Sequence, residues 1–200
     1  MTSLRTGVKL DLMKKLSAYL FLFLFGFSAP SFADDIRDFE IEGISIGDSL
    51  LDYYSEEEIK NNRHNYYNNK TYTPVEMRST FFTTYESMSF NYKTNDKNYI
   101  IFGMSGHIDI INDIEKCEKM KKNILKEIKG ILIGKKFNHW EGKLDVDPSG
   151  KYIMDGTRFD SGDKMSITCY DYSEESGFRD HLNISFSRKH FNEFLGYAYD

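Results

Sequence analysis

Several features that mark common chemistries are missing from this chain of 200 residues. It has two cysteines, Cys117 and Cys169, and no Cys-x-x-Cys, which excludes a vicinal-dithiol redox motif. Its five histidines, His64, His107, His139, His181 and His190, show no His-x-x-x-His or similar ligand spacing, so no motif calls for a resident metal, and none calls for a cofactor. No internal repeat is visible, which removes solenoids and propellers. The longest apolar run, Leu16 to Phe27, is twelve residues, short of the roughly 20 that a spanning helix needs. Positive charge is scarce beyond the first 33 residues: 22 basic side chains stand against 30 acidic ones, a net charge of −8. Nucleic-acid phosphates reward lysine and arginine, so an acidic domain is a poor nucleic-acid partner.

What is present points first to export. Arg5, Lys9, Lys14 and Lys15 precede the apolar run, and Ser28-Ala-Pro-Ser-Phe-Ala33 follows it with small residues at Ser31 and Ala33. That order is expected of a secretory signal peptide over residues 1–33, cleaved between Ala33 and Asp34. No cysteine lies near that position to take a lipid. Residues 34–200 suit one domain with an ordinary core. In a periplasmic or secreted setting, Cys117 and Cys169 are expected to form a disulfide, worth roughly 4 kcal/mol in the chain-entropy model.

Periodicity predicts an α+β fold: an antiparallel sheet of about five to seven strands, one long helix packed on it, and short terminal helices. Phe39 to Gly43 alternates as a short strand, and Asp48 or Ser49 can start a helical turn through Leu50, Leu51 and Tyr53. Ser55-Glu-Glu-Glu58 is a capping-box pattern. Residues 61–73 read as a polar, tyrosine-rich loop ended by Pro74. Strands are expected near 77–84, 88–92 and 99–108, with a turn at Thr94 to Lys97. Asn112 with Glu115 suggests a box opening a helix to Leu132, with Ile114, Cys117, Met120, Ile124, Ile128 and Ile131 on one stripe. Lys116, Lys119, Lys122, Lys126 and Lys129 lie on its opposite, solvated face. Further strands are expected at 137–144, 151–158, 164–172 and 181–187, with Asp160-Ser-Gly-Asp163 as a hairpin turn and Ser187 capping a C-terminal helix. Met165, Ile167 and Cys169 share a strand face, which lets Cys169 meet Cys117 if that face lies on the helix stripe.

Three places could carry chemistry. Asp145-Val-Asp147-Pro-Ser149-Gly150 opens with calcium-loop spacing, but the twelfth position, where glutamate closes the shell, is Gly156, and the flanks read as strands. Asp145, Asp147 and Ser149 are therefore expected in a turn, and Asp155, Asp160 and Asp163 could add ligands only if the loops converge. Ser105, His107 and Asp109 fall on one face of a strand, an arrangement a polar sheet face explains equally well. The third is Gly47-Asp48-Ser49-Leu50, which resembles the nucleophile block of GDSL/SGNH hydrolases. That resemblance covers four residues and implies Ser49 as nucleophile on a parallel, doubly wound sheet. It also implies a C-terminal Asp-x-x-His, yet Phe178 stands three residues before His181. The implied Gly-x-Asn-Asp is broken at Ile110, ahead of Asn112-Asp113. Ser49 is accordingly expected to be a helix-start residue, with a GDSL-like serine hydrolase as the alternative.

The block Phe39-Glu-Ile-Glu-Gly-Ile-Ser-Ile-Gly-Asp-Ser-Leu-Leu-Asp-Tyr53, with Ser55 to Ile59 and Asn112-Asp-Ile-Glu-Lys-Cys117, resembles a group of exported proteins of small-genome marine bacteria. That resemblance implies export and no particular activity. Gly43 to Leu50 is also similar to the opening of small periplasmic modules of the outer-membrane assembly lipoprotein and β-lactamase-inhibitor type, which implies protein binding. The expectation is a non-enzymatic binding or envelope-interaction module whose partner is an envelope protein or a small ligand.

Overall fold

The computed structural model describes residues 35–199; the apolar run and the Ala33–Asp34 cleavage position lie outside them. Asp35 caps a 3-10 turn at Ile36–Asp38, and Phe39 leads into a two-strand ribbon, β1 (Glu40–Ile41) and β2 (Ile44–Ser45). Its turn residues Glu42 and Gly43 both have positive φ, 52° and 77°, the geometry that a two-residue hairpin needs. Glu42 holds that conformation while its carboxylate accepts from the backbone N–H groups of Thr83, Thr84 and Tyr85 at 2.9, 2.7 and 3.3 Å. The ribbon and the 78–86 loop are thereby tied together. Helix α1 (Glu56–Asn61) starts in a complete capping box between Ser55 and Glu58.

The main sheet has seven strands: β3 (Tyr72–Met77), β4 (Ser87–Lys93), β5 (Ile101–Asp109), β6 (Asn138–Leu144), β7 (Asp147–Arg158), β8 (Lys164–Asp171) and β9 (His181–Ser187). Their order is β3-β4-β5-β9-β8-β7-β6, antiparallel at each step. Helix α2 (Ile114–Ile131) connects β5 to β6, and α3 (Lys189–Leu195) follows β9. Among the described residues no helix is long and apolar enough to cross a membrane.

The period-2 alternation divides the sheet into two chemically different faces. Register aligns Ile153, Cys169 and Leu182, then Ile167, Ile184 and Gly106, then Met165, Phe186, Met104 and Phe90. All but Gly106 are buried core side chains, each worth about 1.5–3 kcal/mol on burial. Helix α2 packs on this face over β8 and β9, and the disulfide joins its Cys117 to Cys169 of β8. Phe39, from the segment before β1, stacks on Phe186 with ring centroids 5.3 Å apart. The N-terminal segment thus covers the same face as the helix.

Four local expectations need correction. Pro74 does not end the 61–73 loop; it lies inside β3. That is permitted because β3 is the outermost strand and the proline's carbonyl points outward, where it accepts from His64 N–H, so its missing donor breaks no ladder bond. The strand expected at 77–84 is displaced upstream to Tyr72–Met77, and the residues after it are held by Glu42 as a loop. Asn112 has φ 52°, and the cap of α2 is Asp113, whose side chain accepts from Lys116 N–H at 2.9 Å. Ser187 is still in β9; α3 starts after Arg188, and the Ser187 hydroxyl donates to Asn192 Oδ1 at 2.7 Å.

Candidate functional site

Ser49 sits at the start of a 3-10 turn, Leu50–Asp52, where its Oγ accepts from Leu51 N–H at 3.2 Å. Its own hydroxyl proton goes to the carbonyl of Asn98 at 2.6 Å. Both functions of the hydroxyl are therefore used by backbone, and no histidine of the described residues hydrogen-bonds to it. The neighbouring Asp48 carboxylate accepts from Ser45 N–H and from the Tyr53 hydroxyl, at 2.8 and 2.7 Å. The GDSL tetrapeptide is laid out as a cap and turn.

The calcium-like segment is divided by secondary structure: Asp145 lies in the turn, whereas Asp147 and Ser149, expected there too, are already in β7. Leu144 pairs with Asp147 across a tight turn between β6 and β7. The Asp147 carboxylate is turned toward Ser173, accepting from its N–H at 2.6 Å and its hydroxyl at 3.1 Å, and from Ser149 N–H at 3.2 Å. The Ser173 backbone bond holds it below the usual carboxylate range. Asp155 and Asp160 are directed elsewhere, onto Lys121 and Lys135. Among the described residues no group of three His, Cys, Asp or Glu side chains is gathered as a cation would require.

The sheet face away from α2 brings together residues that are far apart in sequence. One row across it reads Asn138, Gly156, Ser166, Ser185, Ser105, Ser89; the next reads Trp140, Met154, Thr168, Asn183, His107, Ser87. A third places Tyr152, Tyr170, His181 and Asp109 side by side. This floor is polar at its centre, yet most of its side chains are half-buried. One end is closed by an aromatic cluster in which Tyr67, Tyr72, Phe191 and Phe194 pack together; a Cβ on Gly103 would strike the Phe191 ring.

His107 is the centre of the floor. Its Nε2 lies 3.1 Å from Ser105 Oγ and 3.2 Å from Ser89 Oγ. Burial, helped by the adjacent His181, lowers its pKa to about 4, so the ring is neutral at pH 7. The expected Ser105–His107–Asp109 row exists, but only two of its members meet. Asp109 pairs with Arg179 at 2.8 Å, leaving His107 without a carboxylate to orient it. A base with so low a pKa and no orienting partner is poorly matched to activating a serine near neutral pH. His181 donates through Nδ1 to the Arg179 carbonyl at 2.9 Å and packs between rings: Tyr170 at 4.8 Å, His107 at 5.1 Å and Tyr172 at 6.1 Å. Ser166 and Ser185 bond to each other at 2.7 Å. The side-chain amide of Asn183, between Thr168 and His107, makes no hydrogen bond to the described residues.

At the β6–β8 side the floor ends in a cavity of about 280 Å³ lined by Asn138, Trp140, Met154, Thr157, Arg158 and Lys164. Trp140 is 40% exposed, and Lys164 Nζ lies 5.8 Å from the centre of its ring. Sequence reasoning passed over Arg158 and Lys164. The signal available was their position on either side of the 160–163 turn, which makes them cross-strand partners. No known protein family, no curated protein and no solved structure matches the chain.

Proposed function

We propose that this protein is an exported binding module that holds a polar, hydroxyl-rich ligand on the open face of its sheet, in the envelope or outside the cell. The observation that carries this reading is the central floor. Asn183 offers an amide with two donors and an acceptor, flanked by Thr168, His107 and Ser185, while the long helix lies on the opposite face. Rings of Tyr170, His181 and Tyr172 stack beside it, giving flat apolar surface next to hydrogen-bonding groups, the combination found in small-ligand sites. His107 serves this reading as a neutral donor and acceptor rather than as a base.

The test is side-chain NMR of the Asn183 amide and the His107 and His181 rings during titration with neutral cello-, malto- and chito-oligosaccharides. Shifts confined to the floor and lost in Asn183→Ala are expected. Absence of shifts across the panel, or shifts on the lysine-bearing face of α2, would refute the reading. A fluorophosphonate adduct on Ser49 or Ser105 would replace it with a serine hydrolase.

A further inference from the structure

The cavity at the β6–β8 end has a charge that the rest of the molecule does not explain. Arg158 and Lys164 are cross-strand partners on one face, and neither forms an ion pair among the described residues. The acids closest to them in sequence are occupied elsewhere: Asp160 pairs with Lys135 at 2.8 Å, and Asp163 accepts from Lys189 N–H at 2.7 Å. Lys164 is half-buried, with its Nζ 4.0 Å from the Met154 sulfur and 5.8 Å from the centre of the Trp140 ring. Burial, and then the charge of Arg158, lower its pKa from the usual lysine value. On a domain whose net charge past residue 33 is −8, two cations without counter-ions beside an exposed indole form a local positive site.

We propose that this corner binds the carboxylate of an acidic sugar whose ring lies on Trp140. The inference rests on reading the floor as a ligand surface and names the chemistry at one end of it. Arg158 presents a planar fork that matches a carboxylate with two parallel N–H···O bonds, and Lys164 supplies a point charge beside it. Trp140 provides a flat apolar face for one side of a ring, and Asn138 an amide within the same cavity. A volume of about 280 Å³ has room for one ring and its substituent. Beyond Met154 the row continues through Thr168 to Asn183, so further sugar units would run onto the hydroxyl and amide groups already described.

Trp140 is the sole tryptophan of the chain, so indole emission reports from this cavity alone. The experiment titrates the protein with D-glucuronate, D-glucose, acetate and inorganic phosphate, following that emission. Glucuronate is expected to give a saturable change, with glucose and acetate each at least about 10-fold weaker, and with Arg158→Gln and Lys164→Gln each weakening glucuronate by about 10-fold, the loss of one charged hydrogen bond. Far-UV circular dichroism of both variants should match the unaltered protein, since neither side chain forms an ion pair among the described residues. Equal response to glucose and glucuronate, or no effect of either substitution, would overturn the acidic-sugar assignment and leave the floor reading standing. Phosphate binding as tightly as glucuronate would overturn it in favour of a plain oxyanion site. If emission stays constant while neutral oligosaccharides shift the Asn183 amide, this inference alone fails; if both stay silent, the binding-module reading fails with it.

Discussion

Consider removing the charge of Asp155 while Lys121 stays in place. Lys121 projects from the buried side of α2, with 3% of its side chain exposed, and its Nζ donates to Asp155 Oδ2 at 2.6 Å and to the Ile153 carbonyl at 3.2 Å. Asp155 is 15% exposed and also faces His139 Nδ1 at 3.1 Å. In Asp155→Asn the ammonium would remain under the helix with only carbonyl-type acceptors, and breaking a buried pair in this way costs about 3–5 kcal/mol. Lys121→Met should cost less, about 1–2 kcal/mol, because Asp155 keeps the imidazole and some water as partners. The pair Lys121→Met/Asp155→Leu should return to within about 1 kcal/mol of the starting stability, since two apolar side chains of similar volume replace an ion pair that was expensive to desolvate. Urea unfolding at pH 7 with a common m-value measures all three variants. A cost below about 1 kcal/mol for Asp155→Asn would mean that the ammonium reaches water in the native state, and the desolvation reasoning would be wrong. The pair also has a pH signature. Burial raises the Asp155 pKa, but the hydrogen bonds from Lys121 and His139 outweigh it and the net shift is downward. A lowered carboxylate pKa gives stability that is present above the unfolded value near 3.9 and is lost as pH falls through the folded value.

His107 acts in a different window. Its folded pKa is about 4 against an ordinary 6.5, so the unfolded chain binds the extra proton and stability should fall as pH drops from about 6.5 toward 4, by up to about 3 kcal/mol; denaturation midpoints across that range should flatten in His107→Gln. Replacing Cys117 and Cys169 by alanine opens a crosslink spanning 52 positions and should lower stability by about 2–5 kcal/mol, read as the difference between oxidised protein and the double variant in urea. Ser49→Ala removes the cap of the Leu50–Asp52 turn and the bond to Asn98, a loss of about 0.5–2 kcal/mol, with ligand binding unchanged in the same fluorescence titration; abolished binding at unchanged stability would contradict the turn assignment.

Elements whose determinants are local were legible in the sequence. Strand β9, the Ser55–Glu58 box, the lysine face of α2 and the placement of both cysteines in one helix–sheet layer follow from period, caps and alternation within a few neighbouring residues. What failed depended on partners distant in the chain. Pro74 can occupy β3 only because β3 ends the sheet, and residues 78–86 form a loop because Glu42, some forty positions earlier, binds their amides. Lys121 belongs to neither the stripe nor the lysine face expected for α2, and Asp155 and the Ile153 carbonyl on β7 make its burial tolerable. The floor was legible in one strand, as the Ser105–His107–Asp109 alternation. Its remaining members lie on β4, β6, β7, β8 and β9, and the order that joins them places β9 beside β5 across some seventy intervening residues.

On the proposed binding-module reading, the two faces of the sheet divide stability from recognition. The disulfide, the Lys121–Asp155 pair, the contact of Phe39 with Phe186 and the Glu42 clamp all lie on the side covered by α2 and the N-terminal segment. The floor is fastened more lightly: His107 bonds to Ser105 and Ser89, Ser166 and Ser185 bond to each other, and the Asn183 side-chain amide bonds to none of the described residues. Buried polar groups normally find partners within the protein or in ordered water, and a half-buried amide open to solvent can exchange that water for a ligand at little cost to the fold. Substitutions on the floor should therefore move binding far more than stability, whereas those under the helix should do the reverse.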